Sequence, residues 1–193
     1  MVNSDETMRK LIGSIFLCLL TIQVMAQDEI EAKSNLFIQQ MLEDYKIIET
    51  DARINRYATS GSTWSKRIDL KSKKLFFNKY DQKDYQEYAL TFIYFKDSAS
   101  CLDARREYLD NYSLKSGALT NSTKYTGRPP SFNLITNNSI IIFEVSCESH
   151  HMDEKWSWNK IKEKLTLMFG SDKSEIIENG CGKPITWKNN KDK

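Results

Sequence analysis

Residues 88–112 read YALTFIYFKDSASCLDARREYLDNY, and their hydrophobic period changes part-way along. From Tyr88 to Phe95 aromatic and β-branched side chains fill both alternating faces, the pattern of a strand covered on both sides. Asp97, Ser98 and Ser100 then offer N-cap oxygens, and Ser100 with Asp103 fits a capping box. Cys101, Ala104, Tyr108 and Tyr112 follow at helical spacing, so the segment reads as a strand entering a helix that runs to about Tyr112.

Toward the C-terminus, Gly117 to Pro130 reads as a polar loop closed by two prolines. Phe132 to Thr136 and Ser139 to Val145 are two apolar runs separated only by Asn137 and Asn138. Asparagine tolerates positive φ, so this spacing predicts a tight hairpin. The first run alternates, as an edge strand does; the second contains IIIF and reads as central. Asp153 is placed to cap a helix to Phe169, with Trp158, Ile161, Leu165 and Met168 on its buried stripe and Gly170 at its end. Residues 174–178 form a short strand, followed by a tail with Trp187.

The order from residue 88 is therefore β-α-β-β-α-β, an α+β fold of the ferredoxin-like, split-βαβ kind. In that sheet the first and third strands are central, and the two doubly apolar runs fall at those positions. Such a fold hosts enzymes and binding modules alike, so it does not select a function.

Toward the N-terminus, Ile68 and Leu70 alternate with charge and Leu75, Phe76 and Phe77 cluster, which allows a strand within 67–84. Residues 57–66, YATSGSTWSK, have the composition of a loop. Residues 28–56 read as one amphipathic helix, with Phe37, Ile38, Met41, Tyr45, Ile48 and Ala52 on a stripe that packs on the core or on a partner.

Residues 11–24, LIGSIFLCLLTIQV, are uncharged, follow Arg9 and Lys10, and precede Ala26. This is the pattern of a secretory signal cut before Gln27. The run is about 14 residues, short of the ~20 that span a bilayer as a helix. Met8 begins a cleaner leader than Met1, and Cys18 follows Leu17 rather than the small residue that a lipoprotein cleavage site requires. The predicted organisation is a signal peptide at 1–26, an N-terminal helix and connecting segment packed on the core at 27–84, and an α+β domain at 85–193. The expected location is secreted or periplasmic, with no membrane association after cleavage.

With 28 basic and 26 acidic residues the formal charge is +2, too small to imply a nucleic-acid or anionic-membrane partner. Export removes Cys18 and leaves Cys101, Cys147 and Cys181 in an oxidising compartment that favours a disulfide. In the predicted topology Cys101 follows the top of the first strand. Cys147 and Cys181 follow the bottom ends of the third and fourth, one strand apart. A strand of five or six residues is about 17–20 Å long, and bridged Cα atoms lie within about 7 Å. The predicted bridge is therefore Cys147–Cys181, with Cys101 a free buried thiol that packs as a small apolar side chain.

Residues 147–154, CESHHMDE, hold both histidines of the chain beside a thiol and three carboxylates. Zinc or copper would accept His150 and His151 if the loop bends, since adjacent histidines diverge on a strand or helix. The alternative is a polar loop before a helix, and no CxxC or HxxxH spacing is present. The expectation is no cofactor. A metal- or thiol-dependent site built on Cys147, His150, His151 and Cys181 stands as the alternative function, with a cysteine nucleophile competing directly with the bridge. A hydrolase using Glu144, Glu148, Asp153 and Glu154 is a third reading. No GxSxG, HExxH, P-loop or dinucleotide fingerprint occurs.

Eight of the 22 aromatic residues lie between positions 75 and 95: Phe76, Phe77, Tyr80, Tyr85, Tyr88, Phe92, Tyr94 and Phe95. Lys71, Lys73, Lys74, Lys79 and Lys83 lie alongside, offset by Asp81, Asp84 and Glu87. Core packing is the expectation, with a carbohydrate or peptide groove as the alternative. Asn111, Asn121 and Asn137 each head a glycosylation sequon. The missing catalytic constellation, the helical appendage and the tyrosine-rich sheet together point to a non-enzymatic, exported protein-binding module. One form would be a neutraliser or inhibitor of an extracytoplasmic enzyme or toxin.

Overall fold

The computed structural model describes residues 27–50, 59–77, 82–109, 130–147, 155–181 and 185–189. Helix α1 (27–41) leads into strands β1 (Tyr45–Thr50), β2 (Ser62–Phe77) and β3 (Lys83–Phe95). Helix α2 (Ser98–Leu109), strands β4 (Ser131–Ile135) and β5 (Ser139–Val145), helix α3 (Trp158–Phe169), and strands β6 (Glu175–Asn179) and β7 (Ile185–Asn189) follow. The strands form one antiparallel seven-stranded sheet in the order β1-β2-β3-β5-β4-β6-β7.

The α+β class holds, but the strand order departs from the ferredoxin-like prediction. That topology requires β6 beside β3. Here the long β2–β3 hairpin occupies that side of β3, and β6 pairs with β4 instead. β4 is thus interior rather than an edge, and all five of its residues are buried. Its polar alternation misled because Asn133 and Ser131 are buried, not wet. Tyr108 Oη donates to Asn133 Oδ1 at 2.8 Å, and Asn133 Nδ2 donates to the Ile177 carbonyl at 3.1 Å. Those hydrogen bonds offset the desolvation that an unsatisfied amide would suffer.

The sheet has helices on both faces. Phe37 and Met41 of α1 and Ile161 and Leu165 of α3 share a core with Leu90, Phe92, Leu134 and Phe143. On the other face Cys101, Ala104 and Tyr108 of α2 pack with Ile93, Ile140, Ile142, Ile177 and Ile185. Each fully buried large apolar side chain contributes about 1.5–3 kcal/mol, so these two layers hold the sheet between them.

Several element boundaries differ from the sequence reading. The predicted helix over 28–56 ends at residue 41, and β1 follows a three-residue turn. Tyr45 fits both periods: it lies four residues past Met41, yet as the first strand residue it also points into the core at 2% exposure. The β-branched Ile47, Ile48 and Thr50 then favour pairing with β2 over continued helix. Lys73 caps the end of α1, its Nζ donating to the Leu42 and Glu43 carbonyls at 2.8 and 3.2 Å. Ile48 is exposed rather than on a buried stripe, and Ala52 lies outside the described residues.

The predicted loop over 57–66 is strand from Ser62 onward; the turn before it centres on Gly61, whose φ of +71° suits glycine. The strand allowed within 67–84 is β2 together with the start of β3. The tail with Trp187 is β7. There Arg105 of α2 lies 5.0 Å from the Trp187 ring and donates from Nη2 to Glu175 Oε2 at 2.6 Å, tying α2 to the far edge of the sheet.

The caps differ in detail. Asp97, not Ser100, caps α2: its Oδ1 accepts from the Ser100 backbone N–H at 2.7 Å, and that hydrogen bond holds the carboxyl below the usual aspartate range. Ser157 caps α3; Asp153 lies outside the described residues. Gly170 ends α3 without a positive φ. Its N–H donates to the Thr166 carbonyl, and a Cβ there would meet that oxygen at 2.4 Å. Tyr112, nearly all of the Gly117–Pro130 loop and the 1–26 leader also lie outside the described residues.

Candidate interaction surface

β2 and β3 are longer than their neighbours. β1 last pairs with β2 at Tyr45–Ser72, and β5 last pairs with β3 at Val145–Tyr88. Beyond those points Leu75–Tyr85, Phe76–Asp84 and Phe77–Lys83 pair only across the hairpin. Residues 73–77 and 83–87 thus form a two-stranded ribbon about 16 Å long that continues past the sheet.

The ribbon's base is fixed. Tyr45 Oη donates to Gln86 Oε1, the Gln86 N–H donates to Ser72 Oγ at 2.9 Å, and Ser72 Oγ donates to the Lys74 carbonyl at 2.8 Å. The register shifts between Lys71 and Leu75, where this serine turns the strand. Beyond the base, burial ends. Leu75 is 50% exposed, Phe77 63% and Tyr85 38%. Residues directly opposite in a ladder share a face, so Leu75, Tyr85, Phe77 and Lys83 form one apolar surface with a basic border. Lys83 Nζ lies 5.6 Å from the Phe77 ring and Lys71 Nζ 5.0 Å from the Tyr85 ring. Lys71 also donates to Glu87 at 2.6 Å, and that hydrogen bond raises its pKa.

The aromatic cluster read from the sequence therefore divides. Tyr88, Phe92, Tyr94 and Phe95 are core, as expected. Phe77 and Tyr85 are surface, Phe76 is half-buried, and Tyr80 lies outside the described residues. The missed signal was the loss of apolar residues before Tyr88: Lys83, Asp84 and Glu87 are exposed, and Gln86 is buried among the hydrogen bonds of the ribbon's base.

Cys147 and Cys181 are bridged, with Cα atoms 5.4 Å apart, and Cys101 is free and buried. Glu144 and Asn179 both lie opposite Ser131, so β5 and β6 run in the same direction, level across β4. Each cysteine follows its strand's last residue by two positions at the same end of the sheet. The pairing argument survives the change in strand order because β5 and β6 are one strand apart in both arrangements. The intervening strand is β4 instead of β3.

The bridge leaves no thiolate at Cys147 or Cys181 for nucleophilic chemistry. His150 and His151, with Glu148, Asp153 and Glu154, lie outside the described residues. Among the described residues no three His, Cys, Asp or Glu side chains come together as a metal group. Cys101 donates to the Thr136 carbonyl at 3.6 Å, and burial pushes its thiol up to about 12. Glu144 accepts from Arg67 Nη1 at 2.9 Å, while Arg67 Nε donates to Asp69 at 3.1 Å. That carboxylate is part of an ion-paired network with Arg67 and Asp69.

No helix among the described residues is long and apolar enough to cross a membrane. No family model, curated protein or solved structure matches the chain.

Proposed function

We propose that the protein is a non-enzymatic binding module, exported through residues 1–26, whose partner is a protein. The β2–β3 ribbon is its contact element. The observation that carries this reading is the exposure of Leu75, Phe77 and Tyr85 on one face of a ribbon that no other described strand supports. Aromatic side chains have few rotatable bonds, lose little entropy on contact, and are enriched at the energetic centres of interfaces. Neutralising an extracytoplasmic enzyme or toxin is one form of such binding, and a narrow ribbon has the shape to enter a cleft.

The test places a photo-crosslinking residue at Phe77 in the exported chain, with the same residue at exposed Leu167 on α3 as the control. A defined adduct at 77 and not at 167 supports the reading. The partner identified by mass is then titrated with Leu75→Ser and Phe77→Ser. Loss of a central aromatic anchor costs about 2 kcal/mol or more, roughly thirtyfold in Kd. Equal labelling at both positions, or unchanged affinity in both variants, removes the ribbon from the interface.

A further inference from the structure

We infer that Gln27 matures to pyroglutamate. The inference rests on the export reading above, which places the cut between Ala26 and Gln27. Cleavage gives Gln27 a free α-amine within a five-membered ring closure of its own side-chain amide, and such intramolecular proximity replaces a bimolecular encounter. The amine nitrogen attacks Cδ and an N–Cδ bond forms. The Cδ–Nε2 bond breaks, a proton passes from the attacking nitrogen to the leaving one, and ammonia departs. No oxidant, reductant or second substrate is consumed.

The fold places that terminus favourably. Residue 27 is already helical, while the first residue of α1 packed against the core is Ile30, whose carbonyl accepts from Ser34 Oγ at 2.7 Å. Asp28 and Glu29 between them are exposed. A cut at residue 27 therefore keeps the anchored part of α1, and the new end, half-buried at Gln27, lies before the core-packed residues. An ammonium there would sit at the positive end of the helix dipole. This favours the neutral amine, which is the attacking form, and the lactam product carries no charge at all. The mature chain would begin without a free amine for aminopeptidases.

Two measurements test this separately from the leader. In the first, the full chain with its own leader is produced in an exporting host, and the mature protein is analysed by intact mass and N-terminal sequencing. The expected result is the mass of residues 27–193 less one ammonia and the two hydrogens of the disulfide, blocked to sequencing until pyroglutamyl aminopeptidase is added. A mature chain with an unmodified Gln27 amine overturns the inference; a chain beginning elsewhere overturns it through the leader. In the second, a site-specific protease releases the chain from a fusion so that it begins at Gln27. Its mass should fall by one ammonia on incubation at neutral pH, while Gln27→Ala keeps both its mass and its free amine. An unchanged mass in the first of these chains overturns the cyclisation itself, whatever the fate of the leader.

Discussion

Tyr45 and Gln86 are joined by a buried hydrogen bond from the phenol of edge strand β1 to the side-chain amide at the ribbon's base. Because Gln86 also fixes Ser72 through its backbone N–H, this contact links the end of α1, the β2 bulge and the start of the ribbon. Tyr45→Phe keeps the ring contact with Tyr88, 5.2 Å away between centroids, and removes only the hydroxyl. Removing one partner of a buried hydrogen bond costs about 1–3 kcal/mol. We expect a lower urea midpoint and faster amide exchange at residues 83–87. An unchanged midpoint would mean the hydroxyl contributes nothing net.

The Cys147–Cys181 bridge closes a separation of 34 residues that holds all of α3 and β6. On the loop-entropy model it stabilises by about 3–4 kcal/mol. Reduction, or Cys147→Ser with Cys181→Ser, should lower the unfolding free energy by that order while the core elements persist. Equal urea midpoints with and without reductant would count against the bridge.

Cys101 should resist thiol reagents in the native protein. It is 2% exposed, and burial has moved its thiol far from the pH at which thiolate forms. A chain cut before Gln27 should show no reactive thiol when folded and one when unfolded without reductant. That one should map to position 101. Rapid native labelling would show that α2 opens readily from the sheet.

Glu178 supplies a pH signature. Burial alone would raise its pKa, but hydrogen bonds from Lys162 Nζ at 2.6 Å and Trp158 Nε1 at 2.9 Å outweigh that and hold it below the usual glutamate range. A depressed folded pKa contributes stability above the unfolded value, lost as pH falls through the folded one. Starting from about pH 4.3, the ordinary glutamate value, stability should fall with further acidification. Glu178→Gln should flatten that part of the profile. An identical acid limb in the variant would assign the loss to other carboxylates.

Much of the interior was legible because it depends on local period. The Tyr88–Phe95 run, the Asn137–Asn138 turn and the Trp158–Ile161–Leu165 stripe all pack as their spacing indicates. Strand order was not legible, since it depends on pairings between strands far apart in sequence, and no local pattern reports those. Asn133 shows the difficulty: in sequence it marks an exposed position, and its burial is made tolerable by Tyr108, 25 residues earlier, and the Ile177 carbonyl, 44 residues later. Tyr45 shows another, a core residue that satisfies a helical and a strand period at once. The ribbon was half legible, as an aromatic cluster whose exposed end only the lengths of β1 and β5 define.

The strand order also sets a load path. A pull on the ribbon is carried along β3 and passes in shear to β5 through their paired residues from Tyr88 to Tyr94. From the end of β5 it crosses to the far side of β4 through a covalent bond, reaching β6 without relying on β4's own ladders. A pull at Phe77 therefore bears on a frame that a covalent bond braces two strands beyond β3.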